Sequence, residues 1–193
     1  MSEAVKIPPL LDVAEFLEWD APEPGPWQLV DGEPRAMAPA SLTHNGVLGE
    51  LNALIRNHLV ARGGPCTIIP TPGVIPRIRA DRNFRIPDLG VTCSPGPLDG
   101  YYLPDPVLLI EILSPTNQSE TWNNVWAYTT IPSVHEILVP RSSSIRADLL
   151  RRRPDGSWPE QPDIIAGGML TLESIGFEVE LAALYRATRL AAG

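Results

Sequence analysis

The stretch Val107-Leu108-Leu109-Ile110-Glu111-Ile112-Leu113-Ser114-Pro115 decides how this chain folds. It is an apolar run of strand length that ends at Ser-Pro and has one carboxylate, Glu111, in its interior. A run that is apolar on both faces belongs in the middle of a sheet that is covered above and below. An ionised glutamate in such a place is costly unless it is paired or holds a cation.

A second acid stands near the start of another predicted strand. Residues 85–92 predict a strand in which Asp88 follows a proline. If the two strands are neighbours, Asp88 and Glu111 form a site for Mg²⁺ or Mn²⁺, because such cations prefer carboxylate oxygens. The carbonyl of Ile112 is a candidate third ligand, and the cation would activate water and stabilise charge on a phosphate. The alternative is structural, with Glu111 paired to an arginine, and the residue types alone do not separate the two.

The charge of the chain restricts how it could bind nucleic acid. It has 15 basic and 23 acidic residues, for a formal net charge of −8. Because phosphate neutralisation carries most non-specific affinity, an acidic chain needs a local basic patch. The arginines around the second strand predict such a patch: Arg77, Arg79, Arg82 and Arg85. The length of 193 residues predicts one domain, 1–193.

The cysteines and the hydropathy pattern indicate a cellular location. Cys66 and Cys93 follow no metal-ligand spacing, and we expect free buried thiols, which fit a reducing compartment. The segment Met1–Asp12 has neither the basic nor the apolar region of a signal peptide. No stretch approaches the ~20 apolar residues that span a bilayer. We therefore expect a cytoplasmic protein with no membrane partner.

The remaining pattern predicts helices and a hairpin around the two strands. A short helix is expected over residues 11–19, followed by a hairpin over 27–37 that turns at Asp31-Gly32. A long helix begins at Ser41 or Thr43 and ends near Arg62 before two glycines, and His44 should point from it toward the sheet. Residues 119–129 predict a further helix, on which Asn124 and Tyr128 share a side.

Several segments, taken in order, resemble those of the Uma-two family of restriction endonucleases, a bacterial branch of the PD-(D/E)XK nuclease-like superfamily. They are residues 27–33, 37–41 followed by His44, 86–88, 109–115, and Tyr128 with 131–134. The resemblance extends over about residues 16–184. It implies an α/β restriction-endonuclease-like fold, with a mixed central sheet flanked by helices and with an added N-terminal helix and hairpin.

The resemblance also implies roles for single residues. Asp88 matches the acid of the superfamily's Pro-Asp motif and Glu111 its second acid, both expected to bind Mg²⁺ or a similar ion. His44 matches the histidine at the start of the family's long helix. Gln28 stands where many members have a glutamate, and Asn124 where the family has a lysine. We expect His44, Gln28 and Asn124 to complete the catalytic set.

Two departures from the family pattern bear on activity. Gln28 is an amide in place of an acid, and the lysine is absent from position 124 and from Leu113, where the wider superfamily has it. The only lysine, Lys6, precedes the first predicted helix. The resemblance predicts a Mg²⁺- or Mn²⁺-dependent endonuclease that acts on nucleic acid, with DNA favoured, as a homodimer, and with weakened activity. The alternatives are a degenerate nuclease fold retained for binding and an oligomeric scaffold whose acids are only structurally paired.

Overall fold

The computed structural model describes residues 10–192, so the expectations for Lys6 and for most of the segment Met1–Asp12 lie outside it. Its helices are α1 (Val13–Leu17), α2 (Leu42–Arg62) and α3 (Gln118–Tyr128). Its strands are β1 (Trp27–Val30), β2 (Glu33–Ala36), β3 (Thr67–Pro70), β4 (Leu89–Thr92), β5 (Pro106–Ile110), β6 (Glu136–Pro140), β7 (Ala147–Arg151), β8 (Asp163–Ile165), β9 (Met169–Leu172) and β10 (Phe177–Glu180).

A six-stranded mixed sheet forms the centre of the fold, which confirms the predicted α/β architecture. Its strand order is β3-β4-β5-β6-β7-β8. Only β5 and β6 are parallel, and α3 makes the crossover between them, as a parallel pair requires. The hairpins β1-β2 and β9-β10 are separate two-stranded sheets. Strand β8 at the edge of the central sheet was not anticipated from the sequence.

Strand β5 is covered on both faces, as its apolar run predicts. Leu108 and Ile110 pack into a cluster with α2, while Leu109 packs into a second cluster with Val125 and Tyr128 of α3. All three β5 side chains are fully buried. Because burial stabilises by about 25 cal/mol per Å² of apolar surface, such burial on two faces anchors β5 in the core.

The regular strand is shorter than predicted, and Glu111 lies directly after it rather than in its interior. The amides of Glu111 and Leu113 still donate to carbonyls of strand β6, those of Leu138 at 3.0 Å and Pro140 at 2.8 Å. The amide of Ile112, however, donates to a carboxylate oxygen of Asp88 at 2.6 Å. A side chain thus replaces a backbone partner, and the β4–β5 ladder ends at that point.

The predicted helices and N-terminal hairpin are confirmed with small shifts. Ser41 caps α2 by accepting the amide of His44, and Gly63 ends the helix at φ 70°. In the hairpin, Gln28 pairs with Arg35 as the two-residue turn requires. The buried stripe of α2 consists of Val47, Leu51, Ile55 and Leu59. No helix among residues 10–192 combines the length and the hydropathy needed to cross a membrane.

The expectation of free thiols is wrong, because Cys66 and Cys93 form a disulfide. Strands β3 and β4 are antiparallel, and Thr67 pairs with Thr92. The next pair outward in the same register is Cys66 and Cys93, which places their side chains opposite each other at the end of the ladder. The cysteines are 27 residues apart in sequence, and strand register decides their pairing.

Candidate active site

The two predicted acids lie side by side at the ends of the central strands. In the antiparallel β4–β5 pair, Leu89 faces Ile110, so the next pair in register is Asp88 and Glu111. Opposed residues of an antiparallel pair project from the same face. The Asp88 carboxylate accepts the amide of Ile112, and Nε2 of His44 lies 3.2 Å from the same oxygen. The long helix therefore delivers His44 to the sheet, as predicted.

Helix α3 holds the other carboxylate through both of its oxygens. Asn124 Nδ2 donates to Oε1 of Glu111 at 3.1 Å, and the hydroxyl of Tyr128 donates to Oε2 at 3.3 Å. The i,i+4 spacing of the two donors puts them on one side of the helix. Glu111 is 8% exposed, and burial followed by the charge of Asp88 raises its pKa well above 4.5. The hydrogen bonds from Asn124, from Tyr128 and from the backbone of Asp88 act in the opposite direction and lower the pKa of Glu111.

The donor set fits a hard divalent cation. Two carboxylates meet where burial and mutual repulsion disfavour two negative charges, and a cation would relieve both effects. Among residues 10–192, no group of three or more His, Cys, Asp and Glu side chains is arranged to hold a metal ion. A cation bound here would therefore rely on Asp88, Glu111, backbone oxygen and water, which is a common arrangement for Mg²⁺. The carbonyl of Ile112 as a ligand stays a prediction.

Two buried amides connect the acids to the N-terminal hairpin. Gln28 is 1% exposed; its Oε1 accepts from Asn124 at 3.4 Å and its Nε2 donates to Glu120 at 2.9 Å. The structure thus brings all five predicted side chains into one cluster: Gln28, His44, Asp88, Glu111 and Asn124. Their catalytic roles stay predictions.

The structure separates Arg85 from the other three arginines of the predicted patch, which stays a prediction. Arg85 is 5% exposed and lies in the cluster, where its Nη1 donates to Oδ1 of Asn124 at 2.7 Å. The other three arginines are exposed, but Arg79 forms an ion pair with Asp31 and Arg82 with Asp81. These pairs reduce the positive charge that the turn presents to solvent.

Three neighbours of the cluster were missed as site residues. Glu120 and Tyr128 lie four residues either side of Asn124, and this helical spacing was the available signal. Asn83, which is fully buried, holds the guanidinium of Arg85 through its Oδ1. No local pattern distinguishes Asn83 and Arg85 from an exposed polar turn, because their burial depends on contacts with the hairpin and α3.

Bidentate pairing of Glu111 with an arginine, the structural alternative, is not observed among the described residues. The hydrogen-bond partners of the Glu111 side chain are Asn124, Tyr128 and the backbone of Asp88. The partners of the Arg85 side chain are Asn83 and Asn124.

Comparisons with known proteins agree with this fold. An uncharacterized protein of Synechocystis sp. is 29% identical over 180 residues, which are 92% of this chain and 93% of that protein. The crystal structure of a "putative nuclease belonging to DUF820" from Anabaena variabilis is similar with a TM-score of 0.70 and 15% identity, over 92% of this chain and 98% of that one. The family profile Uma2, described as "Putative restriction endonuclease", matches residues 13–183. This chain therefore belongs to the Uma2 family.

Proposed function

We propose that this chain is a metal-dependent endonuclease that hydrolyses phosphodiester bonds in nucleic acid, with DNA as the favoured substrate. One observation carries the proposal: Asp88 and Glu111 directly adjoin the last register pair of β4 and β5, Leu89 and Ile110, and their carboxylates contact His44 and Asn124 respectively. Family membership and the nuclease-like fold support it.

Asp88 and Glu111 would hold Mg²⁺ or Mn²⁺, with the Ile112 carbonyl as a further ligand. The cation would supply Lewis-acid activation of the attacking water and would offset charge on the phosphate. His44 keeps the Asp88 carboxylate oriented through its Nε2 contact. Asn124 and Tyr128 orient the Glu111 carboxylate, so both ligands are set before substrate arrives.

The amides at positions 28 and 124 should limit the rate. The contact between Gln28 and Asn124 means that both departures from the family pattern fall on one side-chain pair. An amide can orient water or phosphate, but it brings no charge. Losing one electrostatic contact to a transition state commonly costs ~10²–10³ in rate. We therefore expect slow cleavage.

We further propose that the protein acts as a homodimer and contacts DNA through its exposed arginines, with Arg77 foremost. A symmetric dimer would place one acid pair at each strand of a duplex. Arg77 is exposed, and unlike Arg79 and Arg82 it forms no salt bridge within the described residues.

The test is cleavage of supercoiled plasmid and of single-stranded DNA by pure protein in Mg²⁺ or Mn²⁺. The isosteric variant D88N/E111Q removes both charges and keeps the shape of the site. A matched control, D99N/E178Q, changes two exposed acids outside the cluster. We expect nicking by the parent and the control, and none by D88N/E111Q or in excess chelator. Equal nicking by parent and D88N/E111Q would contradict the proposal.

A second candidate function is binding without cleavage, by a degenerate nuclease fold. The observation that favours it is the neutral Gln28–Asn124 contact beside the acids. It predicts cation-dependent binding of DNA without strand breaks at any cation concentration, so one anisotropy titration beside the nicking assay separates the two functions.

A further inference from the structure

Arg85 is a buried cation at the edge of the acid pair. Its Nη1 donates to Oδ1 of Asn124 at 2.7 Å, and its Nε and Nη2 donate to Oδ1 of Asn83 at 3.2 and 2.8 Å. Asn83 is itself held by the backbone of Asp31, Ile78 and Arg79. The guanidinium is therefore positioned by a rigid set of contacts.

The charge of Arg85 has no carboxylate partner in hydrogen-bond contact within the described residues. Its hydrogen-bond partners are two neutral amides, while the carboxylates of Asp31 and Glu111 lie near enough to act on it through their charge. A buried unpaired charge is costly, and an apolar residue of similar volume is often as stable or more so. A contribution to stability is therefore a weak reason for an arginine here.

Arg85 also sets the direction of the hydrogen bonds around the site. A guanidinium can only donate, so Asn124 must turn its oxygen toward Arg85 and its nitrogen toward Glu111. The same nitrogen faces Oε1 of Gln28, which leaves the nitrogen of Gln28 to donate to Glu120. One fixed cation thus orients donors toward two carboxylates, and such chains of hydrogen bonds reinforce one another.

We propose that Arg85 is a positioning residue that supplies, through Asn124, the positive charge of this active site. The inference rests on the proposed function. The charge lowers the affinity of the carboxylates for a divalent cation and stabilises the negative charge that develops on the phosphate. Arg85 supplies this charge from the turn before β4, because Asn124, the residue of α3 that contacts Glu111, is neutral.

Removing the charge of Arg85 should raise the affinity for the cation and lower the rate of cleavage. R85M should bind Mn²⁺ about fivefold tighter, because one positive charge near the cation is lost. The same variant should cleave at least tenfold more slowly, with the loss in kcat rather than in KM. Structural damage would instead weaken both cation binding and cleavage.

The experiment compares the full-length parent with R85M, R85Q, R85K and R85M/N124K. Mn²⁺ binding is measured by calorimetry, cleavage by plasmid nicking, and folding by the melting temperature. R85K keeps the charge and should stay within threefold of the parent in Mn²⁺ affinity. In R85M/N124K the lysine replaces the residue that contacts Glu111, and its ammonium should recover at least half of the lost kcat on a logarithmic scale. R56M, at an exposed arginine of α2, is the matched charge control.

Each outcome decides the inference. An R85M protein that binds Mn²⁺ no tighter, or that cleaves as fast as the parent, overturns it and leaves the endonuclease proposal intact. If R85M does not fold, R85Q takes its place with the same expected signs. A parent that neither binds Mn²⁺ nor cleaves removes the proposed function, and the inference falls with it. A parent that binds Mn²⁺ without cleaving overturns the catalytic half, while tighter binding by R85M upholds the electrostatic half.

Discussion

The carboxyl group of Glu111 is buried beside Asp88, and both circumstances raise its pKa above 4.5. A raised pKa means that the folded protein holds this proton more tightly than the unfolded chain. Stability contributed by the protonated form is present below pH 4.5 and is lost as the pH rises from that value toward the folded pKa. At neutral pH, ionisation of Glu111 therefore destabilises the folded protein. Such local destabilisation is common in active sites.

The first prediction follows from the upward shift of the Glu111 pKa. Without divalent cations, E111Q should melt a few degrees higher than the parent at pH 8, because its amide stays neutral in both states. At pH 4 the difference should vanish. Calorimetric melting across this range measures it, with E178Q as the exposed control. A variant less stable than the parent at pH 8 would contradict the direction of the pKa shift.

The second prediction concerns Asn83, which is fully buried and joins the hairpin turn to Arg85. N83A should lower the free energy of unfolding by about 1–3 kcal/mol, because buried donors and acceptors lose their partner. N57A, on the exposed face of α2, should change it by less than about 0.5 kcal/mol. Denaturant unfolding of both variants is the measurement. Equal effects would mean that Asn83 is not the link between the two segments.

At the scale of elements, the start of α2 connects helix capping to the site. Ser41 accepts the amide of His44, and His44 contacts Asp88. The third prediction is that S41A lowers the free energy of unfolding by about 1 kcal/mol and also slows cleavage, since the first turn of the helix carries His44. S41D keeps a cap and should retain both stability and rate. A loss of stability with unchanged cleavage would separate the cap from the site.

The disulfide between β3 and β4 provides the fourth prediction. In the chain-entropy account, closing a loop of 27 residues adds about 3–4 kcal/mol to stability. The double variant C66S/C93S should melt several degrees below the oxidised parent, and reducing agent should lower the parent's melting temperature toward that of the variant. A parent that melts at the same temperature as C66S/C93S without reductant would contradict the prediction.

For the whole molecule, the net charge of −8 determines how nucleic acid can approach. The fifth prediction is that, in chelator at about 150 mM salt, affinity for duplex DNA is weaker than about 10 µM. Ca²⁺, which takes oxygen ligands, should tighten binding at least tenfold by offsetting the acid pair. Fluorescence anisotropy measures both states, and D88N/E111Q should lose the gain. Tight binding in chelator would place the DNA contact on another surface.

Elements predicted from the sequence agree closely with the structure where the signal is local. The hairpin at Asp31-Gly32, the helix begun by Ser41 and the buried strand before Glu111 each depend on turn chemistry, capping or periodicity within a few residues. The burial of Arg85 was missed, because in sequence it looks like one more arginine of an exposed turn.

The sequence by itself determined the local elements and the order of the candidate site residues, and its resemblance to the family implied the mixed sheet that carries them. Hydrophobic periodicity and turn residues specify each segment locally, and the acids at 88 and 111 are read directly from their strands. The tertiary structure decided which distant groups meet. The Cys66–Cys93 bond, the turn of the Ile112 amide to Asp88 and the burial of Arg85 against Asn124 depend on register and packing between segments far apart in the chain.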